Sequence, residues 1–145
     1  MENRAHDWFA QARNDWDWGH HSASSGFHAQ ACFIAQQVAE KALQAIAYTR
    51  GATFVRGHSV AAVCAELSIN DDLAAAAHRL DQYYIPTRYP DALPAGAPFQ
   101  AYGADQSEES LEMARLFLER AQQELASRDE CHHLARPQRP AARGL

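Results

Sequence analysis

Apolar side chains return along most of this chain at intervals of three and four, the repeat that lines one face of an α-helix. Ala5, Trp8, Phe9, Ala12 and Trp16 predict a first amphipathic helix from about Asn3 to Ser22, which the run SASSG ends. Phe27, Ala31, Ile34, Val38, Ala42, Ala45 and Ile46 predict a long second helix that stops at Gly51. Ala61, Val63, Cys64 and Leu67 predict a short third helix from about His58, and Asn70, Asp71 and Asp72 supply the cap of a fourth that runs toward Tyr84. Leu111, Ala114, Leu118, Ala121 and Leu125 predict a fifth, opened by Asp105 and Glu108 in capping-box spacing. Nothing alternates with period two over a useful length, so no strand is expected. The predicted fold is all-α, an up-and-down bundle of four or five helices.

At 145 residues and 47% hydrophobic side chains, the chain can bury one core and is too short for two ordinary domains. The bundle is expected to occupy residues 1–127, and residues 128–145 to form an Arg/Pro-rich tail. The end of that tail, ARPQRPAARGL, has two prolines and no apolar period, so burial could not offset the entropy of ordering it and disorder is expected. No apolar run approaches the roughly 20 residues that cross a bilayer, and the first residues are acidic and amphipathic, which predicts a cytoplasmic protein without a membrane partner.

Charge narrows the function classes. In the tail, four arginines against Asp129 and Glu130 give +2, so the overall −5 leaves −7 on the body. An acidic body is a poor landing surface for a nucleic-acid backbone, although one or two arginines can still build a local anion pocket. Cys32, Cys64 and Cys131 share no close spacing, and the first two fall in apolar helical patterns that predict buried, inert thiols. His20, His21 and His28 are split by the SASSG turn, and His132 and His133 lack well-spaced further ligands, so no metal site is expected.

Chemistry concentrates instead in DQYYIPTRYPDALP, Asp81 to Pro94, where Pro86, Pro90 and Pro94 keep the backbone out of a regular helix. The Arg88 guanidinium can fork onto phosphate or carboxylate while Tyr84 or Tyr89 covers a planar ring, with Asp91 beside them. The same residues admit a second reading, in which Arg88 pairs with Asp91 or Asp81 and locks the loop. His58 follows a glycine at a helix start, where it can cap the helix or titrate near neutral pH. Gln37 and Lys41 lie four apart on one face of the second helix, and Lys41 is the sole lysine among 13 basic residues. A lone ammonium in an arginine-favouring chain serves either an ion pair with Glu40 or a neighbour, or a phosphate contact. Trp18 cannot share the inward side of Trp8 and Trp16, and with Phe9 or Phe27 it is placed to cover another subunit.

The ordered blocks CFIAQQVAEKALQAI from Cys32, GHS from Gly57 and YYIPTRYPDALP from Tyr83 carry a resemblance. The chain resembles the HEPN domain family from about Asn3 to about Ala126, in particular its small stand-alone prokaryotic members. The resemblance implies a helical bundle, a homodimer, and functions from nucleotide binding to partnership with a minimal nucleotidyltransferase to RNA cleavage. Relatives often carry a second lysine where this chain has Gln44, so the resemblance gives no two-lysine polyphosphate site.

The RNase branch of the family uses an Arg and a His separated by four to six residues. Arg13 with His20 and Arg128 with His133 fit, but 12 Arg and 8 His in this chain yield roughly two such matches by chance. Our first expectation is therefore a non-enzymatic module without a bound cofactor. It would hold a nucleotide or the nucleotidyltransferase's substrate at Arg88, Tyr84, Tyr89, Asp91, His58, Lys41 and Gln37. The alternatives are a metal-independent RNase toxin of a toxin–antitoxin pair, acting on RNA, and a purely structural dimeric adaptor.

Overall fold

The structure is a computed structural model. It describes residues 3–52, 57 and 59–135, with the side chains of 131–135 left aside. Six α-helices are present and no strand occurs among the described residues: α1 (Ala5–Ser24), α2 (His28–Thr49), α3 (Val60–Glu66), α4 (Asp72–Asp81), α5 (Pro98–Ala101) and α6 (Ala104–Ala135).

α1 and α2 form an antiparallel hairpin, turned at Gly26 in the left-handed region that a glycine enters without strain (φ +87°). The direction shows in the pairs across it. Asn3 Nδ2 donates to the Tyr48 carbonyl oxygen at 2.9 Å, and Lys41 pairs with Asp15. α6 runs antiparallel to α1, with the Trp16 indole donating to the Leu111 carbonyl oxygen at 3.0 Å and His6 within 3.4 Å of Asp129. α2 is the central helix and touches the other five. Its inner faces are largely alanine, with Ile34, Val38, Leu43 and Ile46 filling the wider gaps and Phe117 entering from α6, all fully or almost fully buried. Alanines let the backbones approach, and burying a side chain such as Phe117 stabilises the bundle by about 2–3 kcal/mol. α1 approaches its neighbours tightly at Gly19, where an added Cβ would stand 2.7 Å from Leu111 Cδ2 and 3.2 Å from Ile34 Cγ2. Any larger residue there must displace two core side chains.

Several boundaries differ from the sequence expectations. α4 ends at Asp81, and the chain from Gln82 to Arg88 continues as turns and bends, with Pro86 disfavouring any return to helix at Ile85. α6 is not opened by Asp105 and Glu108. Its first turn is closed by the Gln106 side chain, whose Oε1 accepts from the Gly103 amide, and Asp105 and Glu108 lie inside the helix. The helix then passes through Arg128 to Ala135, beyond where the tail was expected to begin, because no proline or glycine interrupts it before that point. Residues 136–145 of that tail lie outside the described residues. The four-residue α5, headed by Pro98, had no apolar period to announce it.

Candidate functional site

α4 delivers the Tyr83–Tyr89 segment to the side of α2. Three hydrogen bonds fix the segment from within: the Arg88 and Tyr89 amides both donate to the Ile85 carbonyl oxygen, at 3.1 and 3.3 Å, and the buried Thr87 hydroxyl donates to that of Tyr83. Arg88 is thereby set among three rings, its guanidinium carbon 4.4 Å from the centre of Phe33, 4.5 Å from Tyr84 and 5.1 Å from Tyr89. Arg88 Nε donates to the Tyr84 carbonyl oxygen at 2.8 Å. The two terminal η nitrogens take no acceptor from the described residues.

This is a cation held in position by ring faces and one backbone oxygen, with its fork left over. Neither anticipated lock holds it. Asp81 is committed elsewhere: its oxygens accept from the Ser59 hydroxyl (2.9 Å) and from the amides of Val60 (2.8 Å) and Ala61 (3.0 Å), which anchors the start of α3. Asp91 lies exposed in a 3-10 turn, Pro90–Ala92. Tyr89 is half exposed, at 50%, and forms the outer wall of the cluster.

The remaining candidates are not gathered around Arg88. Phe33, Gln37 and Lys41 follow one another at four-residue steps along α2, yet the last two face other partners. The Gln37 amide donates to Gln36 Oε1 (2.7 Å) and Glu40 Oε2 (3.1 Å). Lys41 donates to Asp15, almost fully buried on α1, whose other oxygen accepts from the Gln11 amide at 2.9 Å. The sole lysine therefore pairs across α1 and α2, not with its neighbour Glu40. His58 lies outside the described residues. Phe33 was missed in the sequence; the one signal for it was an aromatic residue in an otherwise alanine-rich helix.

Burial governs the titratable groups nearby. Tyr83 and Tyr102, edge to face at 5.9 Å, have their hydroxyl pKa values raised chiefly by desolvation. Cys32 and Cys64 are buried free thiols: desolvation raises both, Cys64 to about 11, so neither is a thiolate at neutral pH.

The histidines divide as well. His20 and His28 line one groove of about 770 Å³ together with Asp105, Glu108 and Glu112. His28 Nδ1 is 2.9 Å from the Ser107 hydroxyl oxygen, and the His20 ring meets Trp16 edge-on at 4.3 Å. No three His, Cys, Asp or Glu side chains among the described residues stand in a group that could hold a metal ion. Arg13 and His20 both lie on α1, Arg13 exposed, and Arg128 and His133 both on α6. No helix among the described residues is long and apolar enough to cross a membrane.

A central helix wrapped by a hairpin partner and a long last helix, with an arginine–aromatic cluster where the segment after α4 meets that central helix, describes a class of small helical domains. The chain belongs to the HEPN domain family, whose model matches residues 5–126. It is similar to a protein from Thermus thermophilus, with 41% identity and a TM-score of 0.80 over 85% of this chain and 99% of that one. An archaeal HEPN homologue shares 32% identity at a TM-score of 0.70, over 84% and 97% of the two chains. A HEPN domain protein from Thermotoga maritima shares 31% identity at 0.67, over 83% and 98%. No curated protein matches the chain.

Proposed function

We propose that this protein is a HEPN-type binding module, working as a homodimer beside a minimal nucleotidyltransferase, and that Arg88 receives a phosphate of the nucleotide the pair handles. Membership of the HEPN family supports the partnership and the dimer in this reading. The phosphate site follows from one observation: Arg88 is preorganised on three rings and through Nε, while its η fork has no acceptor among the described residues. An oxyanion meeting that fork forms two charge-assisted hydrogen bonds without immobilising a flexible side chain first. Tyr89 stands where it can cover the ligand. Metal-independent catalysis is not required, since the chemistry belongs to the partner.

The test is calorimetric titration of ATP into the protein co-expressed and co-purified with a minimal nucleotidyltransferase from the same genome. Arg88→Ala is expected to weaken binding about 10- to 100-fold, the loss of hydrogen bonds to a charged group. Arg88→Lys should recover only part of it, because an ammonium lacks the fork. Equal affinity in all three proteins, or a failure of the two chains to associate, overturns the reading. Cleavage of RNA by the purified protein alone, abolished in Arg88→Ala, would put the RNase reading in its place.

A further inference from the structure

α2 is enclosed by its neighbours along most of its length. From Ala31 to Thr49 the side chains left partly exposed are those of Phe33, Gln37, Glu40, Lys41 and Tyr48, which recur at helical spacing and mark one open edge. Three of the five are polar, as an edge in contact with water should be. Tyr48 stacks on Trp8, which leaves Phe33 to be explained. The core does not explain it: the half-buried rings of Trp8, Phe9, Trp16 and Tyr83 pack against the hydrophobic core, and that of Phe33 does not. Its ring is met instead by the Arg88 guanidinium at 4.4 Å and by the Tyr84 ring at 6.1 Å, tilted by 37°.

Arg88 draws from that contact something the other two rings cannot supply. Tyr84, which gives a ring and a carbonyl oxygen, and Tyr89, which gives a ring, stand within four residues of Arg88 and belong to the same turns. Among the described residues, Phe33 is the sole partner from another element: no other hydrogen bond, ion pair or ring contact of the Arg88 side chain leaves its own segment. The segment shapes its own arginine, and Phe33 ties that arginine to the frame of the bundle. The tie is electrostatic as well as steric, because the negative face of an aromatic ring attracts a cation within about 6 Å of its centre. A guanidinium held there in the free protein has already lost rotamer freedom that an anion would otherwise have to remove on binding.

We propose that Phe33 is the positioning residue of the Arg88 site: the electron-rich face of its ring holds the guanidinium in register with α2 and so sets the affinity for an anion, acting through Arg88. The link to anion affinity rests on the reading of Arg88 as a phosphate site, whereas the hold on the guanidinium is measurable without any ligand.

Two replacements separate the charge of the ring from its shape. Phe33→Leu removes the ring, and pentafluorophenylalanine at position 33 keeps the shape while reversing the charge on the ring face. Because Phe33 stands off the core, both should leave the melting temperature unchanged. In the ATP titration of the co-purified pair, each is expected to weaken binding about two- to fivefold, the worth of one cation–π contact near the surface. In the full-length protein without ATP, nitrogen relaxation of Arg88 Nε should show an ordered group in the parent and a looser one in both variants. Loosening and lost affinity in Phe33→Leu with parent-like behaviour in the pentafluoro variant would reduce Phe33 to packing and overturn the proposal. Nε equally ordered in all three proteins overturns it whatever ATP does, and so does parent-like ATP affinity in both variants. A parent that binds no ATP, with Nε loosened in both variants, sinks the phosphate reading and upholds Phe33 as the residue that positions the guanidinium.

Discussion

Lys41 shows how a residue that reads as chemistry becomes structure. Asp15 is 6% exposed, and a carboxylate taken that far out of water needs compensation that Lys41 and the Gln11 amide provide. Removing one partner of a buried pair is costly, but the Lys41 side chain keeps 26% of its surface, so solvent screens part of the loss. Lys41→Ala is expected to destabilise the fold by about 2 kcal/mol and to leave ATP affinity at Arg88 unaltered. Urea denaturation and titration of the same variant check both halves, and a tenfold loss of affinity in a stable variant would restore Lys41 to the site. At this scale the sequence announced which residue types matter and not whom they meet. Arg88, Tyr84 and Tyr89 are neighbours in the chain, so their cluster was legible. Phe33 stands 55 positions away from Arg88, and Asp15 stands 26 away from Lys41. Only the packing of α2 against the other elements brings either pair together.

Helix caps carry the equivalent lesson one level up. α3 has seven residues and is too short to persist by propensity, so its start depends on Ser59, whose hydroxyl accepts from the Ala62 amide at 3.1 Å, and on Asp81 reaching back from the end of α4. The Asp71 cap of α4, by contrast, is local and was visible in the sequence: its Oδ1 accepts from the Leu73 amide at 3.1 Å while Oδ2 pairs with Arg120 of α6. The bond from Arg120, and secondarily that from the Leu73 amide, holds the Asp71 carboxyl below its ordinary pKa. A carboxyl lowered by folding contributes stability that is fully present above its unfolded pKa and is lost as pH falls through the folded value. Asp71→Asn keeps a capping oxygen and loses the charge. Its melting temperature should therefore lie below that of the parent at neutral pH, with the gap closing as pH falls below the ordinary carboxylate range. A gap that stays constant across that range would show that the ion pair contributes nothing. Long helices were legible because three turns or more display a period. α5, the Gly103–Gln106 start of α6 and the last turns of α6 were not, because four residues have no period and Arg128, Asp129 and Glu130 add no apolar ones.

Among the described residues of the whole molecule, several large apolar side chains are left in water. Trp18 in the second half of α1 and Phe27 at the head of α2 are 58% and 56% exposed, whereas Phe9, the other ring expected outside, packs against the core. Large rings in water are the usual anchors of an interface, and a second copy in the proposed dimer would cover them. Two such chains, each with a net charge of −5, repel as they approach, so the proposed dimer would rest on apolar contact more than on charge. That sets two expectations for sedimentation of the purified protein. Raising the salt from low to physiological concentration should tighten the dimer, since screening removes repulsion and leaves ring burial untouched. Trp18→Ser should shift the population to monomer without lowering the melting temperature of the monomer, because an exposed ring adds little to the fold it stands on. A dimer that weakens with salt is held by charge, and one that survives Trp18→Ser uses another face.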